Sequence, residues 1–172
     1  MCGSYGLVES FATLPNLVLG PLAGRSASDW HHAPPGKWSP AQIIEHLAIS
    51  LDYSGAKFLE RRAKDSMIRR PRTLFQRVAY LSIMRIGWIP RLFNAPEGTR
   101  PSDHPDPEAV ERRFRAAHAR FQELEPVLLP ARGNDLFVKH PAMGDLNFAE
   151  WLHFHCWHAT HHTKQIHERL PR

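Results

Sequence analysis

"NFAEWLHFHCWHATHHTKQIHERL", Asn147 to Leu170, is the stretch whose reading decides the architecture of this chain. Asn147 with Glu150 three residues on is a reciprocal cap, in which each side chain satisfies a backbone amide that the first helical turn leaves orphaned. The segment therefore predicts a helix that runs to the end of the chain. Six of the 12 histidines fall between His153 and His167. A solvated helix has no physical reason to collect so many imidazoles, so this helix predicts a binding site as well as a structural element.

Working outward, the same start signals recur. "WSPAQIIEHLAISLDYSGAKFLERRAK" opens with Ser39 as cap, Pro40 at the first helical position and Gln42 three residues after the serine. Ile43, Leu47, Leu51 and Phe58 then recur at helical spacing. "DPEAVERRFRAAHARFQELEPVL" repeats the device with Asp106 and Pro107, followed by Val110, Phe114, Ala117, Phe121 and Leu124. "SYGLVESFATLPNLVLGPLAG" also reads as helical, with limits blurred by Pro15 and Pro21. The stretch from Pro71 to Asp106 holds one more apolar helical pattern and then a proline-rich loop. No strong strand pattern, repeat or low-complexity tract is visible. The expectation is a single all-α domain over residues 1–172, with four principal helices and one long crossover.

A chain of 172 residues can bury a core without disulfides or a structural metal, so a metal here is free to be functional. Cys2 and Cys156 are too few for a disulfide framework, and the composition reads as reduced and cytosolic. No secretory leader or membrane span is expected. The formal charge of +5 is uneven. Nine basic residues from Arg61 to Arg91 face one acid, Asp65, a local +8.

At about 100° per residue, His158 and His162 lie one turn apart and within about 40° of one direction, and His155 lies near the same bearing. His153, Cys156 and His167 point elsewhere. A His-x3-His pair clamps a divalent cation, each nitrogen sitting about 2.0–2.1 Å from zinc. It is not a zincin motif, because no glutamate follows His158. A third ligand must come from another helix. His46, at the edge of the apolar stripe of its helix, is the best candidate; a buried histidine satisfied by a hydrogen bond is the plainer reading of the same position.

"PGKWSPAQIIEHLAIS" and, over a hundred residues later, "HPAMGDLNFAEWLHFHCWHATHHTKQI" together resemble the DinB/YfiT-like superfamily of metalloenzymes. Its members share a Trp-Ser helix start leading into a His-Leu pair, and a final His-x3-His ending in Gln-Ile. The resemblance implies an up-down-down-up four-helix bundle holding a divalent metal, zinc or nickel, on His46, His158 and His162. Gln165 matches the motif's glutamine. Lys164 departs from the glycine found in many members, a change beyond the ligands. His155 is left as a hydrogen-bond donor behind the metal ligands, a substrate contact or a packed core residue, and Gln165 as a partner of a ligand or a substrate contact. Trp38, Trp151, Trp157 and Phe154 read as core.

Three neutral imidazoles leave a coordination position for water or substrate, the mark of a catalytic site. The resemblance implies hydrolysis or thiol S-transfer on a small molecule, the second with a low-molecular-weight thiol as partner; the residues themselves do not choose. The alternative is a non-enzymatic protein docking on an acidic partner through residues 61–91. A plainer account of that stretch is a crossover whose apolar residues complete the bundle and whose arginines are solvated. Nucleic-acid binding is not expected, and a homodimer paired through residues 74–93 is.

Overall fold

The computed structural model describes residues 10–88 and 97–171. The α-helices with both ends among those residues are α1 (Leu14–Leu19), α2 (Ala27–His31), α3 (Pro40–Arg61), α4 (Leu74–Leu81), α5 (Pro107–Arg132) and α6 (Phe148–Arg169). A 3₁₀ turn, Gly20–Leu22, extends α1, and a π-helical turn, Ser82–Ile86, extends α4. The expected caps form. Ser39 with Gln42 and Asn147 with Glu150 make complete capping boxes, and the Asp106 carboxylate accepts from the Ala109 amide. Helix α5 continues through Pro126 and Pro130, past the limit its apolar pattern suggests.

Contacts between elements give the bundle its sense. Along α3, Gln42 reaches Ser102 and Asp103, Asp52 pairs with Arg113 and Arg120, and Gly55 abuts Phe121, so α3 and α5 ascend together in parallel. Against α6 the order reverses: His46 meets His158 and His162, Ser54 meets His155, and Phe58 meets Phe148. Parallel neighbours need a long connection, which the chain between α3 and α5 supplies. The core runs the length of this packing, with Phe58, Phe114, Phe121, Phe148 and Trp151 among its largest buried side chains. Phe154 joins it, Trp38 packs partly buried against it, and Trp157 is half-buried.

The architecture is the helical bundle expected, with one addition: Val138–His140 and Gly144–Leu146 pair antiparallel as a hairpin, β1 and β2, just before α6. Three-residue strands are too short for alternation to announce them. The crossover departs in part from its expected roles: Arg62, Arg77 and Arg85 are exposed as expected, but other arginines are engaged. Arg69 and Arg72 bind Glu150, Arg70 binds Asp145, and the Arg61 guanidinium donates to the Phe137 carbonyl, so these charges hold chain to chain. Leu74, Phe75, Val78, Leu81, Ile86 and Trp88 are instead exposed, and only Ala79, Ser82, Ile83 and Met84 of that stretch are buried. Gly87, at φ +70°, turns the chain out of the π-helical turn. A Cβ there would run into the Trp157 ring, so glycine is required by space as well as by backbone. Residues 89–93 of the expected pairing surface, and Arg91, lie outside the described residues.

Candidate metal centre

His46 stands two turns into α3, and the antiparallel α6 presents His158 and His162 opposite it. The Nε2 atoms of His46 and His158 are 3.1 Å apart, as are those of His158 and His162. One ligand atom from each residue lies within 4.8 Å of the others, the only such group of histidine, cysteine and acidic side chains among the described residues. All three imidazoles are buried.

Protons alone cannot satisfy this cluster. His46 Nδ1 lies 2.6 Å from the Thr99 carbonyl oxygen, so in the neutral ring Nδ1 carries the proton and Nε2 is a bare lone pair. His162 Nδ1 lies 2.9 Å from Gln165 Oε1, which leaves its Nε2 bare as well. His158 stands between these two lone pairs, and its Nδ1 is buried without a partner. If His158 is protonated on Nε2 it can donate to one neighbour only; if on Nδ1, three lone pairs face one another. A cation between them removes that repulsion. Ligands at about 2.0–2.1 Å from a tetrahedral zinc are about 3.3 Å apart, close to the spacing found. The donor set fits a divalent metal of imidazole preference.

Electrostatics favour the neutral, ligating form. Burial lowers the His162 pKa to about 3, with His46 adding to the effect. Burial likewise pushes His158 well below its ordinary value, helped by His162 and His46, and lowers His46 despite the Thr99 hydrogen bond.

The other imidazoles of α6 go elsewhere. His155 does not join the triad: its Nε2 lies 2.9 Å from Ser54 Oγ, whose own hydrogen serves the Ser50 carbonyl, and its ring packs among Phe121, Trp151 and Phe11. His153 accepts from Trp157 Nε1, and His167 is exposed. Gln165 joins the rings, its amide nitrogen 3.1 Å from His161 Nε2 while its oxygen orients His162. Burial pushes the Cys156 thiol up to about 12, which disqualifies it as a nucleophile at neutral pH.

The triad forms one wall of a cleft of about 1130 Å³. Trp38, Tyr53, Phe75, Ile83 and Phe154 line its apolar side, and Lys37, Lys164 and Glu168 its polar side. Two contributors escaped sequence reasoning. Thr99 meets His46 across 53 positions through its backbone, which leaves no side-chain signal. His140 reaches the cleft from the hairpin, and no periodicity places it there.

With bundle and site in place, the comparisons are consistent. The chain belongs to the DinB superfamily, whose model matches residues 11–166. No curated protein matches it by sequence. Among solved structures it is similar to YfiT from Bacillus subtilis, described as "a probable metal-dependent hydrolase with an unusual four-helix bundle topology". The two share 17% identity at a TM-score of 0.63, over 96% of this chain and 84% of YfiT, a likeness of fold.

Proposed function

We propose that this protein is a metal-dependent enzyme in which His46, His158 and His162 hold a divalent ion, zinc or nickel, at the wall of the cleft, and that it acts there on a small molecule by hydrolysis or thiol S-transfer. The observation that carries the reading is the convergence of three buried Nε2 atoms whose lone pairs no arrangement of protons satisfies. Bound there, a divalent cation supplies Lewis-acid chemistry, polarising a substrate oxygen or making a nucleophile available at neutral pH. The chain's own residues provide the rest. Thr99 and Gln165 hold two imidazoles in the ligating tautomer, as the outer partners of metal-bound histidines do. The apolar wall of Trp38, Phe75, Ile83 and Phe154 displaces water from a bound substrate. Because burial holds Cys156 as a thiol, it is not the source of a thiolate used in the reaction, and a small-molecule thiol is the partner proposed for that branch. The likeness of fold to YfiT, described as "a probable metal-dependent hydrolase", supports the hydrolytic branch.

Elemental analysis of the purified chain is expected to return one divalent ion per chain. None, at any added zinc or nickel concentration, would overturn the reading. A cytoplasmic homodimer paired through the exposed apolar face of α4 completes the proposal; light scattering that reports a monomer at micromolar concentration removes the dimer. The pairing of Arg69, Arg70 and Arg72 within the chain argues against the alternative of docking on an acidic partner, since that surface has lost much of its free charge. No helix among the described residues is long and apolar enough to cross a membrane.

A further inference from the structure

His140 ends β1 and opens the turn His140-Pro141-Ala142-Met143. Its Nδ1 accepts from two backbone amides at once, Ala142 at 3.1 Å and Met143 at 3.2 Å. A nitrogen that accepts two amides carries no proton, so the neutral ring bears its hydrogen on Nε2. No described residue accepts from that Nε2–H. Nor is it among the buried polar atoms left without a partner, which are Arg132 Nη2, His158 Nδ1 and Thr163 Oγ1. It therefore opens to the cleft that the ring lines. Phe154 fixes the distance to the triad: its ring packs edge-on to His140 at 4.5 Å and stacks on His158 at 5.0 Å. His140 thus stands one aromatic ring away from the metal centre, on the same wall.

We propose that His140 orients the substrate, its Nε2–H donating a hydrogen bond to a carbonyl-type oxygen on a molecule whose reacting end lies at the histidine triad and whose flat apolar middle covers Phe154. The inference rests on the reading of the cleft as a metal-dependent active site and names the substrate class for it: a flat, apolar small molecule with an oxygen acceptor at the end remote from the reacting group. His140 does not act as a base. To take a proton it would have to use Nδ1, whose lone pair the turn amides already hold, and burial keeps the ring neutral. A fixed neutral imidazole in this state is a donor only.

The test uses the full chain and two zinc-binding probes, benzohydroxamate and its 4-acetyl analogue, the second carrying a distal carbonyl. In ¹⁵N-labelled protein, two-bond proton–nitrogen correlation spectra are expected to show His140 protonated on Nε2 alone; a proton on Nδ1 overturns the proposal. In calorimetric titration of the zinc-loaded protein, the 4-acetyl probe is expected to bind about fivefold more tightly than benzohydroxamate, the worth of one hydrogen bond. His140→Phe should erase that difference while leaving benzohydroxamate affinity and zinc stoichiometry unchanged. His140→Asn, whose side-chain oxygen can still accept from the turn amides, should erase it too and guards against a misfolded hairpin. Equal affinity of the two probes in the unaltered chain, or a difference that survives both substitutions, overturns the proposal. Failure of the underlying metal reading looks different: zinc would not bind stoichiometrically and neither probe would bind, and the inference falls with it.

Discussion

The two ends of α6 handle buried polarity in opposite ways. At the N-terminal end, Glu150 accepts from Arg69 at 2.7 Å and 3.1 Å, from the Tyr80 hydroxyl at 2.9 Å and from the Asn147 amide at 2.8 Å, while Arg72 approaches at 3.4 Å and covers the Tyr80 ring. Its charge and lone pairs are met within the chain. Toward the C-terminal end, three imidazoles converge, and a proton among them can satisfy one of the facing Nε2 pairs but not both. His155 lies between them and belongs to the first kind, because Ser54 completes it. Burial and residue type are therefore poor guides to a site. The count of donors against acceptors separates structure from function, since a buried polar group is tolerated when paired and otherwise awaits a ligand.

Acid should act most strongly, and on the buried imidazoles rather than on the paired carboxylates. His140, His155 and His162 have folded pKa values of about 3, below the ordinary 6.5 of an unfolded chain. The unfolded state thus binds protons first, so their contribution is present above about pH 6.5 and is lost as pH falls toward 3. Three such groups cost about 4 kcal/mol of stability per pH unit once the unfolded chain is protonated. Asp145, held below the usual carboxylate range by its hydrogen bond with Arg70, keeps its pairing through that window. Urea midpoints of metal-free protein at pH 7, 6 and 5 are expected to fall steeply; a flat series would mean that the imidazoles titrate normally.

Next in size is the paired end itself. Glu150→Ala removes the capping partner of Asn147 and strands Arg69, Arg72 and the Tyr80 hydroxyl, a loss of about 3 kcal/mol or more. Chemical denaturation should show the loss, while zinc stoichiometry measured in the cold stays at one per chain. An equal loss of zinc would mean that the two ends are not independent.

The unpaired end gives a smaller stability signal with a sharper readout. Zinc in hundredfold excess over its Kd should stabilise the protein by about 2.7 kcal/mol. In His46→Ala that gain should vanish along with stoichiometric binding, and the metal-free chain should still fold, because the apolar core does not depend on the ion. Full zinc occupancy in this variant removes His46 from the ligand set. Smaller again is Gln165→Leu, which frees the His162 ring and should weaken zinc about tenfold in a competition assay. His153→Ala and His167→Ala should leave that affinity alone, since one side chain serves Trp157 and the other is exposed.

The amino-acid sequence by itself determined what is local. Caps at Ser39, Asp106 and Asn147 start helices at their expected residues because a side chain three positions from an amide needs no tertiary help to reach it. The turn-spaced pair His158 and His162 follows from helix geometry alone. Only the tertiary structure decided what depends on partners far along the chain. The hydrogen bonds that hold His155 away from that pair and aim His46 at it come from Ser54, 101 positions from His155, and from Thr99, 53 from His46. Likewise, whether the arginines of the crossover are solvated or spent was settled by Glu150 and Asp145, about 75 to 81 positions away. The exposure of Phe75 and Trp88 and the turn that presents His140 are of the same kind. A hydrogen bond or an ion pair has no period, so the pattern that announces a helix is silent about which buried group will find a partner and which will be left to hold a ligand.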